Sequence, residues 1–291
     1  MIFPELQAAV IFEGMLMNPF FLLLQIFYTF PIQFTDQHMF KANKLFLIIF
    51  LFFSVLSQDS SAQLKVTFPS KDSLQITADW YPVSSEMPII LLCHQNKFSR
   101  GEYNETALRL NKFGFNCLAI DQRVGDAVNG IKNETAERAK AAGKTPLNTD
   151  AEQDIEAAID FLYDKYKKEI IVIGSSYSAS LALKIAATNN KVLGVAVFSP
   201  GEYFADPNYI SKSIGNLNKP LFATSSLQEA DAVTDLLKDV NSRIKVQYIP
   251  KTPGNHGSKV LWSVAPDNQE YWIALMSFLN KMKTLLRGAL Q

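Results

Sequence analysis

A serine-rich turn, Gly174-Ser175-Ser176-Tyr177-Ser178, lies between the apolar run EIIVI and the apolar segment ASLALKIAA. A serine nucleophile at a sharp strand-to-helix turn needs a small residue two positions before it and another two positions after it, because the backbone folds tightly there. Gly174 and Ser178 meet this requirement around Ser176. A serine-rich turn that merely caps a helix has the same pattern. Ser176 is therefore a candidate nucleophile whose partners must be found elsewhere.

A serine hydroxyl is a poor nucleophile without a base, and the chain has three histidines that could serve. His38 lies far upstream, and His94 ends an apolar run that reads as a strand. His256 lies in TPGNHGSKVLW, a loop after the last predicted strand, between Gly254 and Gly257. Such a loop can bring an imidazole over the nucleophile, so we expect His256 to be the base.

The base in turn needs a carboxylate that fixes its tautomer and stabilises the imidazolium. In the chain order serine, acid, histidine, the acid belongs after the predicted strand PLFAT, where TSSLQEADAV offers Glu229 and Asp231. Glu229 is favoured because it is nearer the strand end, whereas Asp231 falls about one turn into a helix. Either could instead be a partner of the helix dipole. Glu202, after the preceding strand, is a third candidate.

Acyl transfer also needs hydrogen-bond donors for a developing oxyanion. The backbone N–H that follows the nucleophile, that of Tyr177, is the first candidate. The second comes from Gln95 or Asn96 in CHQNKFSRGEY, the loop after the third predicted strand. On this interpretation His94 shapes the loop and takes no part in proton transfer.

Strands and helices alternate in the pattern that would position these loops. A hairpin (64–68 and 74–82) precedes apolar runs typical of buried strands, at 88–93, 115–120, 169–174, 192–198, 220–224 and 245–250. Helices are predicted after capping-box spacings at Ser99–Glu102 and Thr149–Glu152, and over 177–187, 229–240 and 267–286. This alternation predicts an α/β fold with a doubly wound, mostly parallel sheet of about eight strands, whose sites lie at the carboxyl ends of the strands.

Four segments, LLCHQNKFSRGEY, AIDQRVGDAVNG, VIGSSYSASLAL and GNHGSKVLW, resemble the α/β-hydrolase superfamily, in particular its small single-domain, dienelactone-hydrolase-like members. The segments occur in the family's order and span nearly the whole chain after residue 63. The resemblance implies the α/β-hydrolase fold and a Ser176–Glu229–His256 triad. Three features depart from the family pattern: Ser178 and Gln95 stand where glycine is common, and the acid loop lacks the usual G-x-x-D.

Composition narrows the choice of function. The chain of 291 residues has 28 basic and 28 acidic side chains, so its formal net charge is zero, which argues against nucleic-acid binding. Cys93 and Cys117 lie in apolar runs and lack metal or redox spacing, so we expect buried thiols. The sequence contains neither H-E-x-x-H nor G-x-G-x-x-G, and we expect no metal or cofactor.

The segment 39–62, MFKANKLFLIIFLFFSVLSQDSSA, has the layout of a signal peptide: cationic, then apolar, then small residues before a cut after Ala62. Its apolar run is shorter than the roughly 20 residues that span a membrane. We interpret 1–38 as an over-extended start and 63–291 as the hydrolase domain. The protein is then exported to the periplasm or secreted, without a stable membrane span. An uncleaved, membrane-anchored N-terminus is the alternative.

These observations together predict an exported serine hydrolase that acts on a small-molecule carboxylic ester or lactone. A peptidase or amidase of the same fold is one alternative. A non-catalytic binding protein is another, in which Ser178 and the unusual acid loop mark a degraded site. The sequence leaves the oligomeric state open.

Overall fold

A computed structural model describes residues 63–288, and these residues contain one sheet of eight strands. The strands are β1 Leu64–Pro69, β2 Gln75–Tyr81, β3 Ile89–Cys93, β4 Asn116–Ile120, β5 Ile170–Ser175, β6 Val192–Phe198, β7 Leu221–Thr224 and β8 Lys245–Tyr248. Their order is β1-β2-β4-β3-β5-β6-β7-β8. Strand β2 is antiparallel to both neighbours, and every other neighbouring pair from β3 to β8 is parallel. The predicted fold class and N-terminal hairpin are confirmed.

The central strands are buried on both faces, which explains their continuous apolar sequences. All residues of β3, β4 and β5 are buried. Alternate residues of one strand face opposite layers: Leu91 belongs to one hydrophobic cluster, and its neighbours Ile90 and Leu92 belong to the other. The sheet therefore has a hydrophobic core on each side and is a rigid support for the loops at its ends.

Six α-helices cover the sheet within the described range. They are α1 Asn104–Lys112, α2 Glu134–Ala141, α3 Glu152–Tyr166, α4 Tyr177–Thr188, α5 Ala230–Leu237 and α6 Asn268–Gly288. Helix α2 was not predicted, although Asn133 caps it by accepting a hydrogen bond from the backbone N–H of Ala136 at 2.8 Å. Short 3₁₀ turns precede α1, α3 and α5, and a fourth follows the His256 loop at Ser258–Leu261.

Both cysteines are free and buried, as predicted. Burial raises the pKa of each thiol, so neither is a ready nucleophile at neutral pH. Among residues 63–288, no helix is long and apolar enough to cross a membrane, and no cluster of three or more ligand-type side chains could hold a metal ion. The predicted signal peptide (39–62) and the segment before it lie outside the described residues.

Parallel strands place the important loops at one edge of the sheet. The carboxyl ends of β3, β5, β6, β7 and β8 are neighbours there, because the register runs in step from Cys93 beside Gly174 to Thr224 beside Tyr248. The loops that carry Gln95, Ser176, Glu229 and His256 all leave from this edge. The fold thus brings together segments that are up to 161 positions apart in sequence.

Candidate active site

Ser176 lies at a sharp turn between β5 and α4. Its backbone has φ 59° and ψ −124°, a conformation that is costly for any residue with a Cβ. The turn is anchored by a hydrogen bond from the Ser176 N–H to the Phe198 carbonyl at 2.8 Å. A Cβ on Gly174 would lie 2.6 Å from the Cα of Ala179, so only glycine fits there. The spacing rule used for the sequence therefore has a steric cause in this chain.

Ser178, the departure from the family pattern, has a defined role in the turn. Its side chain is fully buried, and its hydroxyl donates to the Cys93 carbonyl at 2.7 Å. The same oxygen accepts from the Ser175 N–H at 3.0 Å and lies 2.9 Å from the Ser175 carbonyl. Ser178 therefore ties the turn at Ser176 to the end of β3, where the predicted oxyanion loop begins.

His256 contacts the candidate nucleophile directly. Its Nε2 lies 2.8 Å from the Oγ of Ser176. The loop that carries His256 needs glycine on both sides, because Gly254 and Gly257 have φ values of +64° and +75°. The ring of Tyr203 packs edge-on against the imidazole, with the ring centroids 6.1 Å apart.

Glu229 completes the chain of hydrogen bonds. Its Oε1 lies 2.5 Å from the Nδ1 of His256, and its Oε2 accepts from the hydroxyls of Ser199 and Ser226, both at 2.8 Å. Burial alone would raise the pKa of Glu229, but the hydrogen bonds from His256, Ser199 and Ser226 outweigh it and lower the pKa to about 2. The ionised carboxylate fixes a tautomer in which Nδ1–H donates to Glu229 and Nε2 can accept the proton of Ser176.

The other candidate acids lie elsewhere. Asp231 is exposed in the first turn of α5. Glu202 accepts hydrogen bonds from the backbone N–H groups of Ile210 and Ser211, both at 2.8 Å, and thereby anchors the loop after β6. Of the three carboxylates considered from the sequence, the structure brings only Glu229 to His256.

The proposed oxyanion donors have different surroundings. Tyr177 is the first residue of α4, so its N–H has no acceptor within the helix and is free to donate beside Ser176. The backbone N–H of Gln95 instead donates to Oε2 of Glu102 at 2.7 Å, so this N–H is not available to an oxyanion. Asn96 is exposed in the same loop. The expectation for Gln95 is thus corrected for its backbone, and Asn96 remains the candidate second donor.

His94 shapes this loop through hydrogen bonds made from the protein interior, as expected. Its imidazole is fully buried; Nδ1 bonds to the Gln95 carbonyl at 2.8 Å, and Nε2 accepts from the Gln122 N–H at 3.1 Å. Burial lowers the pKa of His94 to about 4, against an opposing effect of the bond to Gln95. His94 is therefore neutral near pH 7, and its hydrogen bonds shape the loop.

Three residues near the site were given no role in it from the sequence. Ser199, which has φ 53°, donates to Glu229 and accepts from the Gly257 N–H at 2.9 Å, so it joins the acid to the histidine loop. Tyr203 covers the imidazole. Glu102 was predicted to complete a capping box with Ser99, but its carboxylate points inward instead, toward Gln95, Ser175 and Ser258. No local pattern distinguishes these roles from ordinary loop or cap residues.

Solved structures of known enzymes share the fold of this chain. An esterase of Pyrococcus furiosus superposes with a TM-score of 0.60 at 18% identity, over 77% of this chain and 92% of its own. A dienelactone hydrolase of Anabaena variabilis superposes with a TM-score of 0.57 at 15% identity, over 75% of this chain and 95% of its own. The chain has the α/β-hydrolase fold.

A third solved structure extends the comparison. An acylaminoacyl peptidase of Pyrococcus horikoshii superposes with a TM-score of 0.55 at 14% identity, over 78% of this chain and 42% of that one. No protein-family model and no curated protein sequence matches the chain. At these identities the likeness establishes the α/β-hydrolase fold, and the chemistry must be argued from the chain's own residues.

Proposed function

We propose that this protein is a serine hydrolase that cleaves a small-molecule carboxylic ester or lactone through an acyl-enzyme. The observation that carries the proposal is the continuous hydrogen-bonded series from the Oγ of Ser176 through both nitrogens of His256 to Glu229, at 2.8 and 2.5 Å. Chance rarely combines this series with a strained serine at a strand-to-helix turn. The strained turn holds the hydroxyl of Ser176 2.8 Å from Nε2 of His256 at the sheet edge.

The first half of the proposed reaction is acylation. As the Oγ of Ser176 attacks the acyl carbon, its proton passes to Nε2 of His256, and Glu229 stabilises the imidazolium. The N–H of Tyr177 and a donor from the Asn96 loop stabilise the negative oxygen of the tetrahedral intermediate. The C–O bond to the leaving group then breaks, and Nε2 returns the proton to the departing alkoxide, which leaves as an alcohol.

The second half is hydrolysis of the acyl-enzyme. Water attacks the acyl carbon and gives one proton to Nε2 of His256, and the intermediate then releases Ser176, which takes that proton back. The products are one carboxylic acid and one alcohol, or a single hydroxy acid from a lactone. Each step uses only water and groups of the chain, so the scheme needs no metal or redox cofactor.

Two features favour small esters or lactones over peptides. The segment 201–219 between β6 and β7, where a lid could be inserted, consists of turns and bends without a helix. Two of the structural neighbours described above are an esterase and a dienelactone hydrolase, although the third is a peptidase. Export through cleavage after Ala62 is part of the proposal, and N-terminal sequencing of the mature protein tests it: a start at Gln63 is expected, and an intact Met1 in membranes contradicts it.

Covalent labelling tests the catalytic proposal. Wild-type protein should react with a fluorophosphonate at Ser176 and should hydrolyse p-nitrophenyl esters of short acyl chains. Ser176→Ala should abolish both properties, and His256→Ala should reduce both by several orders of magnitude. Ser211→Ala, at an exposed serine, is the matched control and should behave as wild type. Folded wild-type protein that neither labels nor turns over, but binds an ester, would instead be a binding protein.

A further inference from the structure

A second carboxylate lies behind the candidate active site. The side chain of Glu102, in the 3₁₀ turn Arg100–Tyr103, is fully buried. Its Oε2 accepts from the N–H of Gln95 at 2.7 Å. Its Oε1 accepts from the hydroxyl of Ser175 at 2.7 Å and from the hydroxyl of Ser258 at 2.6 Å. Each of these three donors belongs to a different segment next to the site: Gln95 to the loop after β3, Ser175 to the end of β5 and Ser258 to the 3₁₀ turn after the His256 loop.

Each of the three donors is next to, or two residues from, a residue of the candidate active site. Ser175 directly precedes the candidate nucleophile, Ser258 is two residues after His256, and Gln95 directly precedes Asn96. The N–H of Ser258 also donates to the Oγ of Ser175 at 2.8 Å, so the turn at Ser176 and the His256 loop are joined both directly and through Glu102. A shift of Glu102 would therefore move the nucleophile, the base and an oxyanion donor relative to one another.

We propose that Glu102 is a positioning residue of the hydrolase, whose ionised carboxylate holds these three segments in place and stabilises the imidazolium of His256 from behind the site. The inference rests on the proposed function and adds a residue that acts through others. Donors surround both oxygens of Glu102, which is the arrangement that an acceptor-only carboxylate needs.

Four groups around Glu102 favour its charged form against the cost of burial. The pKa of Glu102 is raised, because burial outweighs the opposing effects of the hydrogen bonds from Ser258, Gln95 and Ser175 and of the positive charge of protonated His256. The other ionisable groups near it are Tyr103, Tyr177 and Cys93, and burial raises the pKa of all three, so they stay neutral near pH 7. His256 is then the neighbour whose charge changes during the reaction.

Substitution of Glu102 tests both parts of the proposal. Glu102→Gln keeps the shape of the side chain but removes its negative charge. It also places an amide N–H group next to groups that are themselves hydrogen-bond donors. We expect kcat to fall by about 10²-fold with a much smaller change in KM, because misplaced loops affect the transition state more than binding. We also expect the acidic limb of the kcat/KM profile to move to lower pH, because loss of a nearby negative charge disfavours the imidazolium. Glu102→Asp keeps the charge and should leave the acidic limb in place.

The matched control is Glu105→Gln, one turn along on the exposed side, where the carboxylate accepts from the Ser263 N–H at 2.9 Å. Its kcat and pH profile should match the wild type. A folded Glu102→Gln variant with wild-type kcat and pH profile overturns the proposal, whatever its melting temperature. If Glu102→Gln does not fold, Ser258→Ala decides, since it removes one donor and no charge. A roughly tenfold lower kcat in folded Ser258→Ala supports the proposal, and an unchanged kcat overturns it.

A readout without turnover separates this inference from the proposed function. The imidazole resonance of His256, assigned with the His256→Ala variant, can be titrated by NMR. It should titrate at lower pH in Glu102→Gln than in the wild type, and identical titrations contradict the role of Glu102. Failure of wild-type protein to label with a fluorophosphonate contradicts the proposed hydrolysis instead.

Discussion

Replacing Ser178 with glycine, the common residue at this position in the superfamily that the sequence resembles, should weaken this protein. The Ser178 hydroxyl makes contacts at 2.7, 2.9 and 3.0 Å inside a fully buried turn. Without it, the Cys93 carbonyl keeps the hydroxyl of Tyr103 at 2.7 Å, but the buried N–H of Ser175 loses this acceptor. Leaving a buried donor unpaired costs about 1–3 kcal/mol. Glycine in the first turn of α4 costs about 1 kcal/mol more than alanine.

Thermal unfolding followed by circular dichroism measures these costs. For a domain of this size, about 1 kcal/mol lowers the melting temperature by roughly 2–4 °C. Ser178→Ala should therefore melt about 2–12 °C below the wild type, and Ser178→Gly about 4–16 °C below it. Exposed Ser211→Ala is the control and should not shift. If Ser178→Gly has the melting temperature of the wild type and reacts faster with a fluorophosphonate, the Ser178 hydroxyl does not stabilise the turn. Ser178 would then be a substitution that lowers the reactivity of the site.

Three further perturbations follow from the geometry. Glu229→Gln should lower kcat by about 10⁴-fold, because the amide no longer fixes the tautomer of His256, and a loss below tenfold would contradict the role of Glu229. The pKa of Glu229 is lowered from 4.5 to about 2, so the contribution of its ionised form to stability is complete above about pH 4.5 and is lost as the pH falls toward 2. The urea midpoints of wild type and Glu229→Gln should therefore converge between about pH 4.5 and pH 2. Gly257→Ala places a Cβ 2.3 Å from the Gln95 Oε1 at φ +75°, so kcat should fall by about 10²-fold, whereas Gly143→Ala, at φ +70° in open space, should leave kcat unchanged.

The strands were predictable because burial on both faces leaves a simple sequence signature. Runs such as 88–93 and 169–174 are continuous and apolar, and the observed strands begin within one residue of the predicted starts. Helix α2 lacks such a signature. It buries only Thr135 and Ala139, so its apolar face is too narrow to stand out from a polar loop.

The positions of Ser176, Glu229 and His256 were predictable for a topological reason. Each follows the carboxyl end of a parallel strand, and such ends share one edge of the sheet, so chain order alone restricts which loops can meet. Chain order could not decide between Glu229 and Asp231, which are two residues apart. Their separation depends on where α5 begins: Glu229 ends the 3₁₀ turn and points inward, while Asp231 is already on the exposed side of the helix.

Asp121 and Arg123 show the limit of such local reasoning. They carry opposite charges only two positions apart, yet they do not pair with each other. Asp121 bonds to Arg100 at 2.6 Å, and Arg123 bonds to Asp154 at 2.7 Å. Both are buried charges that need a partner, and each finds that partner in a distant segment of the chain.

The roles of Glu102 and Ser199 could not be predicted from the sequence for the same reason: their hydrogen-bond partners are distant in the chain. Their proposed functions depend on those long-range contacts. Serine and glutamate three positions apart before a helix normally satisfy the helix's own N–H groups. Here Ser99 does cap the turn, through the N–H of Gly101 at 3.1 Å, while Glu102 serves segments 73 and 156 positions away. A buried carboxylate survives only when donors converge on it, so the packing that hides Glu102 also couples the geometry of the site to its charge.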